Sequence, residues 1–288
     1  MELGTVGFVG LGAMGSRMAA NVAAAGLDLI CYDAAGTAER APEGAGVAGS
    51  VAEVAAVADV VVFSLPDGKI SAAVAEEIIA SNDRRVGAVL DTSTIGVAAA
   101  RQLQRRLADA EIGYLDAPVS GGIAGAAAAT IALMFAGPAD EFTRLQPLLT
   151  AMSKKPVHVG TDAGQGQAMK LLNNFLSGIA LTATSEAIAF GLGQGLEMAT
   201  MLEVLNASSG QNTATSDKFP NRIMTGRYDA QFKNTLYLKD LTLYVENVDA
   251  AEGSNLLGHA LLPIWQRFVA AEPAGDYTEI YPFMRDKR

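Results

Sequence analysis

Short runs of almost wholly apolar residues alternate with segments of helical periodicity through the first half of the chain. Residues 6–10 form the first run. Met18, Ala19, Val22 and Ala23 then mark one face of a helix that closes at Gly26. Further runs follow at 27–32, 60–65, 86–90, 114–116, 130–135 and 157–159, with a helical stretch over 101–110. Runs that are apolar at every position suit strands covered on both faces, and strands alternating with helices predict a doubly wound, mostly parallel α/β sheet. From Gly164 onward the strand pattern stops. Helices are predicted over 165–192, 197–207, 213–225, 234–252 and 256–271, the fourth dominated by Leu238, Leu241, Leu243, Val245 and Val248.

The helix that opens this second half carries the densest chemistry. Leu172, Phe175, Leu176, Ile179 and Ala183 recur at spacings of three and four, which predicts that their face is buried. Lys170 and Asn174 are four residues apart and share another face, with Asn173 and Ser177 close by. A lysine and two amides on one stripe can hold a small polar molecule and move its proton.

The first apolar run leads directly into Gly10-Leu11-Gly12-Ala13-Met14-Gly15, and the second ends at Asp33. In a strand–turn–helix setting the first glycine permits the tight turn and the second lets backbone approach a pyrophosphate. The third lets helix pack on strand, and the helix N-terminus faces the negative charge. An acid closing the next strand accepts hydrogen bonds from ribose hydroxyls and repels a 2′-phosphate. Asp33 fits that place, and the nearest arginine is Arg40, beyond an Ala-Ala-Gly turn. The expected cofactor is NAD, with NADP the second candidate. Ligands of such sheets lie beyond the carboxyl ends of the strands. This puts Leu65 and Pro66, the 91–95 segment with Thr94, and the 116–122 segment around the cofactor.

Composition narrows the class. The chain has 288 residues, half of them hydrophobic, which suits two ordinary domains with ample core. A formal charge of −10 argues against nucleic-acid binding, which needs a basic face for phosphates; the short basic tail at 285–288 reads as solvated. The one cysteine, Cys31, lies in an apolar run and reads as a buried strand residue in a reducing compartment. Met1-Glu-Leu lacks the basic start of a signal peptide. Residues 117–139 carry no charge, but their Ala- and Gly-rich composition reads as loop, short helix and strand rather than a membrane span. No His/Cys/Asp cluster has metal-ligand spacing. His158 and His259 lie far from the motifs and read as surface or satisfied core, and Trp265 as core.

Four motifs in order, Gly7-Phe-Val-Gly-Leu-Gly-Ala-Met-Gly15, Asp116-Ala-Pro-Val-Ser-Gly-Gly122, residues 164–174 and Lys239-Asp240, make the chain resemble the β-hydroxyacid dehydrogenase family over nearly its whole length. That family includes 3-hydroxyisobutyrate dehydrogenases and tartronate semialdehyde reductases. The resemblance implies a Rossmann domain over 1–162 and an all-helical substrate and oligomerisation domain over 163–288, joined by a long helix. It implies Lys170 as the catalytic acid–base and Asn174 as a substrate-holding amide. Ser120, Gly121 and Gly122 become the loop that binds the substrate carboxylate through a hydroxyl and backbone N–H groups. Thr94 falls beside the nicotinamide, Lys239 near cofactor and substrate, and Phe232 as a ring over the site.

The related 6-phosphogluconate dehydrogenases have a histidine where this chain has Asn173 and an acid where it has Ser177, and imine reductases replace the lysine. The implied reaction is therefore reversible oxidation of a small 3-hydroxy acid to its semialdehyde. An oxidative decarboxylase and a non-catalytic cofactor-binding module are the alternatives. A lysine acts as base near neutrality only when burial or a nearby cation lowers its proton affinity, and Lys239 is the candidate cation. The expected protein is cytoplasmic, a homodimer or homotetramer, and acts on a small hydroxy acid without nucleic-acid or membrane partners.

Overall fold

The computed structural model describes residues 3–286; the two outermost residues at each end, and with them part of the basic tail and of the N-terminal start, lie outside it. The chain divides into two compact units, Met1–Lys170 and Leu171–Arg288.

The first unit is built on one sheet. Its strands are β1 (Val6–Val9), β2 (Leu29–Tyr32), β3 (Gly46–Val47), β4 (Val60–Phe63), β5 (Ala88–Asp91), β6 (Gly113–Asp116), β7 (Val119–Ser120), β8 (Ala132–Ala136) and β9 (Lys155–Gly160). Between them run α1 (Gly15–Ala24), α2 (Val51–Val57), α3 (Gly68–Ala80), α4 (Val97–Ala108), α5 (Gly122–Ala127), α6 (Ala139–Arg144) and α7 (Gln146–Met152). The order across the sheet is β3-β2-β1-β4-β5-β6-β8-β7, with β9 on β8. Strands β1 to β6 are parallel, whereas β8 runs antiparallel to β6 and β7. Strands β1 and β4 carry no polar side chain and are buried at every position because both faces are covered. Phe8, Val60 and Val62 pack with Met18, Val22 and Leu148 on one side. Val9, Val61 and Phe63 pack with Val54, Val74, Ile78 and Leu103 on the other. Residues 117–139 resolve into β7, α5 and β8. Strand β3 is two exposed residues, too short to leave a pattern in sequence.

Helix α8 (Gln165–Gly193) begins in this unit and continues as the first element of the second. It is followed by α9 (Met198–Asn206), a π-helical segment Ala214–Ile223, α10 (Asn234–Ala250), α11 (Leu256–Ala271), a 3₁₀ turn Tyr277–Glu279 and α12 (Ile280–Arg285). By length and composition α8 would pass for a membrane span, yet Phe175, Leu181 and Ile188 belong to the protein core with Tyr237, Leu241, Trp265 and Tyr277.

The buried face of α8 differs from the predicted one. Phe175 is buried, but Leu172 and Leu176 are 40% and 58% exposed, and Ala183 is exposed too. The inner stripe instead carries Leu171, Asn174, Phe175, Gly178, Leu181, Thr182, Ser185 and Ile188. Its polar members are satisfied. Thr182 Oγ1 accepts from Trp265 Nε1 at 3.0 Å, and the Ser185 hydroxyl donates to the Leu181 carbonyl at 2.8 Å. Gly178 permits the packing, since a Cβ there would overlap the Tyr237 hydroxyl of α10. Periodicity alone sorted the residues by polarity, whereas the inner face is chosen by which side chains have partners.

Candidate active site

The loop from β1 into α1 has the form its glycines require. Gly10 has φ +96°, and a Cβ there would collide with the Ser64 carbonyl at the end of β4. A Cβ on Gly15 would overlap the Gly10 carbonyl, so only glycine lets α1 start this close to the strand. Gly12 differs: a Cβ would meet nothing within 4 Å, which leaves open space above the backbone. Among the described residues, the amides of Gly12, Ala13 and Met14 make no hydrogen bond. Donors at a helix N-terminus beside open space fit a pyrophosphate.

Asp33, at the end of β2, stands against the same loop. Its Oδ2 accepts from Leu11 N at 2.6 Å and its Oδ1 from Ala35 N at 2.8 Å. The turn through Gly36 (φ +111°) brings Arg40 back, and its Nη1 lies 2.8 Å from Asp33 Oδ1. Sequence spacing set Arg40 apart from Asp33; the turn joins them in an ion pair.

The loops after β4, β5 and β6 meet the first turn of α8. Leu65 N donates to Ser93 Oγ at 2.8 Å, which ties the Leu65–Pro66 segment to the 93–96 loop that carries Thr94. Asp91 and Asp116 are neighbours in register on β5 and β6, both fully buried. Burial pushes Asp91 up to about 7, opposed by hydrogen bonds from Ser93 and raised further by the charge of Asp116. Burial pushes Asp116 up to about 6, opposed by hydrogen bonds from Gln167, Gly164 and Gly166. Beyond Asp116, Gly121 (φ +138°) and Gly122 (φ +67°) turn the chain after Ser120 into α5. A Cβ at Gly121 would press on Ile131, whereas Gly122 faces open space.

Lys170, on the second turn of α8, is 8% exposed, so it is no solvated surface charge. One turn on, Asn174 is 7% exposed. Within the second unit Asn174 Nδ2 donates to Asp240 Oδ2 at 2.6 Å, and Asn173 Nδ2 donates to Asn174 Oδ1 at 3.2 Å. Lys239 Nζ lies 3.2 Å from Asp240 Oδ1, so the positive charge assigned to Lys239 is balanced by its sequence neighbour. Phe232 packs with Tyr277 and Tyr237, at centroid distances of 5.6 and 6.4 Å. Ser177 is 3.2 Å from the Tyr277 hydroxyl.

Other singled-out residues have structural surroundings. His158 stacks on Phe142 with its Nε2 2.8 Å from the Gly137 carbonyl, and exposed His259 pairs with Asp249 at 3.0 Å. Burial pushes the Cys31 thiol up to about 12. A recess of about 1020 Å³ in the first unit is lined by Gly87, Ala88 and Gly113 at the amino ends of β5 and β6, and by none of the predicted site residues. Asp91, Gln167 and Asp240 were not singled out from sequence. For Asp91, the signal available was an acid closing a wholly apolar strand; for Asp240 and Gln167, it was only their place inside quoted motifs.

Two family profiles match in succession. One, described as the NAD binding domain of 6-phosphogluconate dehydrogenase, covers residues 5–160, and one described as NAD-binding of NADP-dependent 3-hydroxyisobutyrate dehydrogenase covers residues 164–284. A 3-hydroxyisobutyrate dehydrogenase of Pseudomonas aeruginosa is 35% identical over 98% of this chain and 99% of its own. A 2-(hydroxymethyl)glutarate dehydrogenase of Eubacterium barkeri is 34% identical over 84% of this chain and 81% of its own. The solved structure of a Mycobacterium tuberculosis 3-hydroxyisobutyrate dehydrogenase with L-serine superposes with a TM-score of 0.92 at 31% identity, covering 99% of this chain and 100% of that one. With a doubly wound nucleotide-binding unit followed by a helical one, the chain belongs to the β-hydroxyacid dehydrogenase family.

Proposed function

We propose that this chain, an NAD(P)-dependent hydroxyacid dehydrogenase, interconverts a small 3-hydroxy acid and its semialdehyde with Lys170 as the proton-transfer group. The observation that carries the reading is the burial of Lys170 one helical turn from Asn174, whose amide is fixed by Asp240. The cofactor is NAD(P); Gly10, Leu11, Gly12, Ala13, Met14, Gly15 and Asp33 hold its adenosine diphosphate part, and Leu65, Pro66, Thr94, Phe232 and Lys239 its nicotinamide end. Bound nicotinamide supplies hydride acceptance in oxidation and hydride donation in reduction. Ser120, Gly121 and Gly122 bind the substrate carboxylate through the hydroxyl and backbone N–H groups, since successive donors in a turn hold an anion without an arginine. Lys170 takes the hydroxyl proton in oxidation and returns it in reduction, while Asn174 and Lys239 orient the substrate.

The Asp33 carboxylate favours NAD over NADP. In place of the acid that the notional decarboxylase reading needs, Ser177 offers only a hydroxyl paired with another hydroxyl. Residues 1–162 serve as the cofactor domain and 163–288 as the substrate and oligomerisation domain of a cytoplasmic homodimer or homotetramer. Leu172, Leu176 and Phe190 are exposed apolar side chains on α8 that this association would cover, and Leu176→Glu should weaken it in sedimentation.

The test is a panel of 3-hydroxy acids and semialdehydes followed by nicotinamide absorbance with both cofactors. Turnover without carbon dioxide release supports the reading. Cofactor binding with no turnover of any member favours the non-catalytic module, and carbon dioxide release favours the decarboxylase.

A further inference from the structure

We propose that Asp116 and Gln167 are positioning residues for the reaction: together they lock the first turn of α8, and so Lys170, onto the loops that carry Thr94 and Ser120. The inference rests on the Lys170 reading above. It adds a function for two fully buried polar side chains.

The contacts all lie within the first unit. Asp116 Oδ2 accepts from Gly164 N and Gln167 N, each at 3.0 Å, which makes Asp116 a cap for α8 supplied from the end of β6 rather than from the preceding loop. Asp116 Oδ1 accepts from Gln167 Nε2 at 2.8 Å. The same Nε2 donates to the Ser93 carbonyl at 3.0 Å, and Gln167 Oε1 accepts from Ile95 N at 2.8 Å and Gly96 N at 3.1 Å. Gln167 therefore grips the chain on both sides of Thr94. It sits three residues before Lys170, about 4.5 Å along the helix axis at 1.5 Å per residue.

The glycines of the motif follow from this clamp. A Cβ on Gly166 would lie 2.7 Å from the Met134 carbonyl and 3.0 Å from Asp116 Cγ. Gly164 has φ +93°, and a Cβ there would press on Val97. Any side chain at Gly166 would lift α8 off the carboxylate. The donor–acceptor pattern is also one-way. Every partner of Asp116 is a donor, and Gln167 cannot turn its amide over without opposing Oε1 to the Ser93 carbonyl and Nε2 to two N–H groups. A carboxylate facing the positive end of a helix is favoured electrostatically as well.

The experiment exchanges the acid and the amide. Asp116→Asn places an NH₂ against a donor, and Gln167→Glu removes the donor to Asp116 and Ser93. Each single variant should lower kcat 10- to 100-fold while the NADH dissociation constant stays within about threefold, because Gly10–Gly15 and Asp33 follow β1 and β2, outside the clamp. The double variant Asp116→Asn/Gln167→Glu restores a complementary pair, since the amide at 116 now donates to the carboxylate at 167, and should recover at least fivefold over the worse single. Recovery is partial because the Ser93 carbonyl keeps no donor. Should Asp116→Asn fail to fold, Gln167→Glu and Gln167→Met still test the clamp through the same split between kcat and NADH affinity. Folded single variants with kcat within twofold of wild type, or a double variant no better than the worse single, overturn the inference. Lys170→Ala measured alongside separates the two levels: its retained activity would overturn the Lys170 reading and this inference with it. Loss of activity there with wild-type kcat in Asp116→Asn or in both Gln167 variants overturns this inference alone.

Discussion

Asn174 and Asp240 are joined by a 2.6 Å hydrogen bond between two almost fully buried side chains, and the same carboxylate pairs with Lys239. The amide therefore points its donor inward and has one orientation. Asp240→Ala takes this acceptor from Asn174 and this counter-charge from Lys239. Substrate KM should rise about 10- to 100-fold, the worth of a hydrogen bond to a charged group, with NADH affinity within about threefold. Asp240→Asn keeps an acceptor for Asn174 and should recover most of the loss. Initial rates and NADH fluorescence titration check this; an unchanged KM in Asp240→Ala would separate Asn174 from substrate.

In the proposed mechanism Lys170 sets the chemical step. Lys170→Ala should bind NADH normally and lose at least about 10²–10⁴ in kcat, the usual contribution of a positioned proton-transfer group. Lys170→Arg should fare little better, because guanidinium keeps its proton near neutrality. Full activity in the arginine variant would reduce the role of Lys170 to its charge.

Cofactor choice should follow the Asp33–Arg40 pair. Wild type should favour NAD, and Asp33→Asn should shift the ratio of kcat/KM toward NADP by removing the charge that repels a 2′-phosphate. With Asp33 neutral, Arg40 is released to meet that phosphate, so adding Arg40→Ala should cancel much of the gain. If NADP use in the double variant equals that of Asp33→Asn, Arg40 has no part in it.

Stability should fall with rising pH through the buried acids. An aspartate in the unfolded chain titrates near pH 4, whereas Asp91 is pushed up to about 7 and Asp116 to about 6 in the fold, facing each other and Tyr114. Between about pH 4 and pH 7 the folded chain holds protons that the unfolded chain has released. The contribution of these groups is thus full at the acid end, declines across that window and is flat above it. Asp91→Asn is neutral throughout and keeps an acceptor for Ser93 N. In urea unfolding it should gain on wild type between about pH 5 and pH 8, on the order of 1–3 kcal/mol, since a tenfold change in proton affinity is worth about 1.4 kcal/mol. Parallel pH curves would mean that Asp91 does not carry the proton.

The alternation of apolar runs and helices, the glycine spacing before α1 and the lysine–amide pair on α8 were legible in sequence because each depends on near neighbours. Backbone geometry fixes which residues share a strand face or a helical stripe, and Gly10, Gly12 and Gly15 occupy one turn. Which stripe of α8 is buried was not legible. Leu172 and Leu176 look like core by composition, yet Asn174 and Thr182 take the inner positions because Asp240 and Trp265, 66 and 83 residues away, complete their hydrogen bonds. The same holds for Arg40, returned to Asp33 by a turn, and for Gln167, whose partners lie at 93–96 and 116. A sequence displays the chemical type of a side chain. Whether a polar group is buried and satisfied depends on partners that only the folded chain brings within hydrogen-bond reach, and that decided which polar residues of this protein face inward.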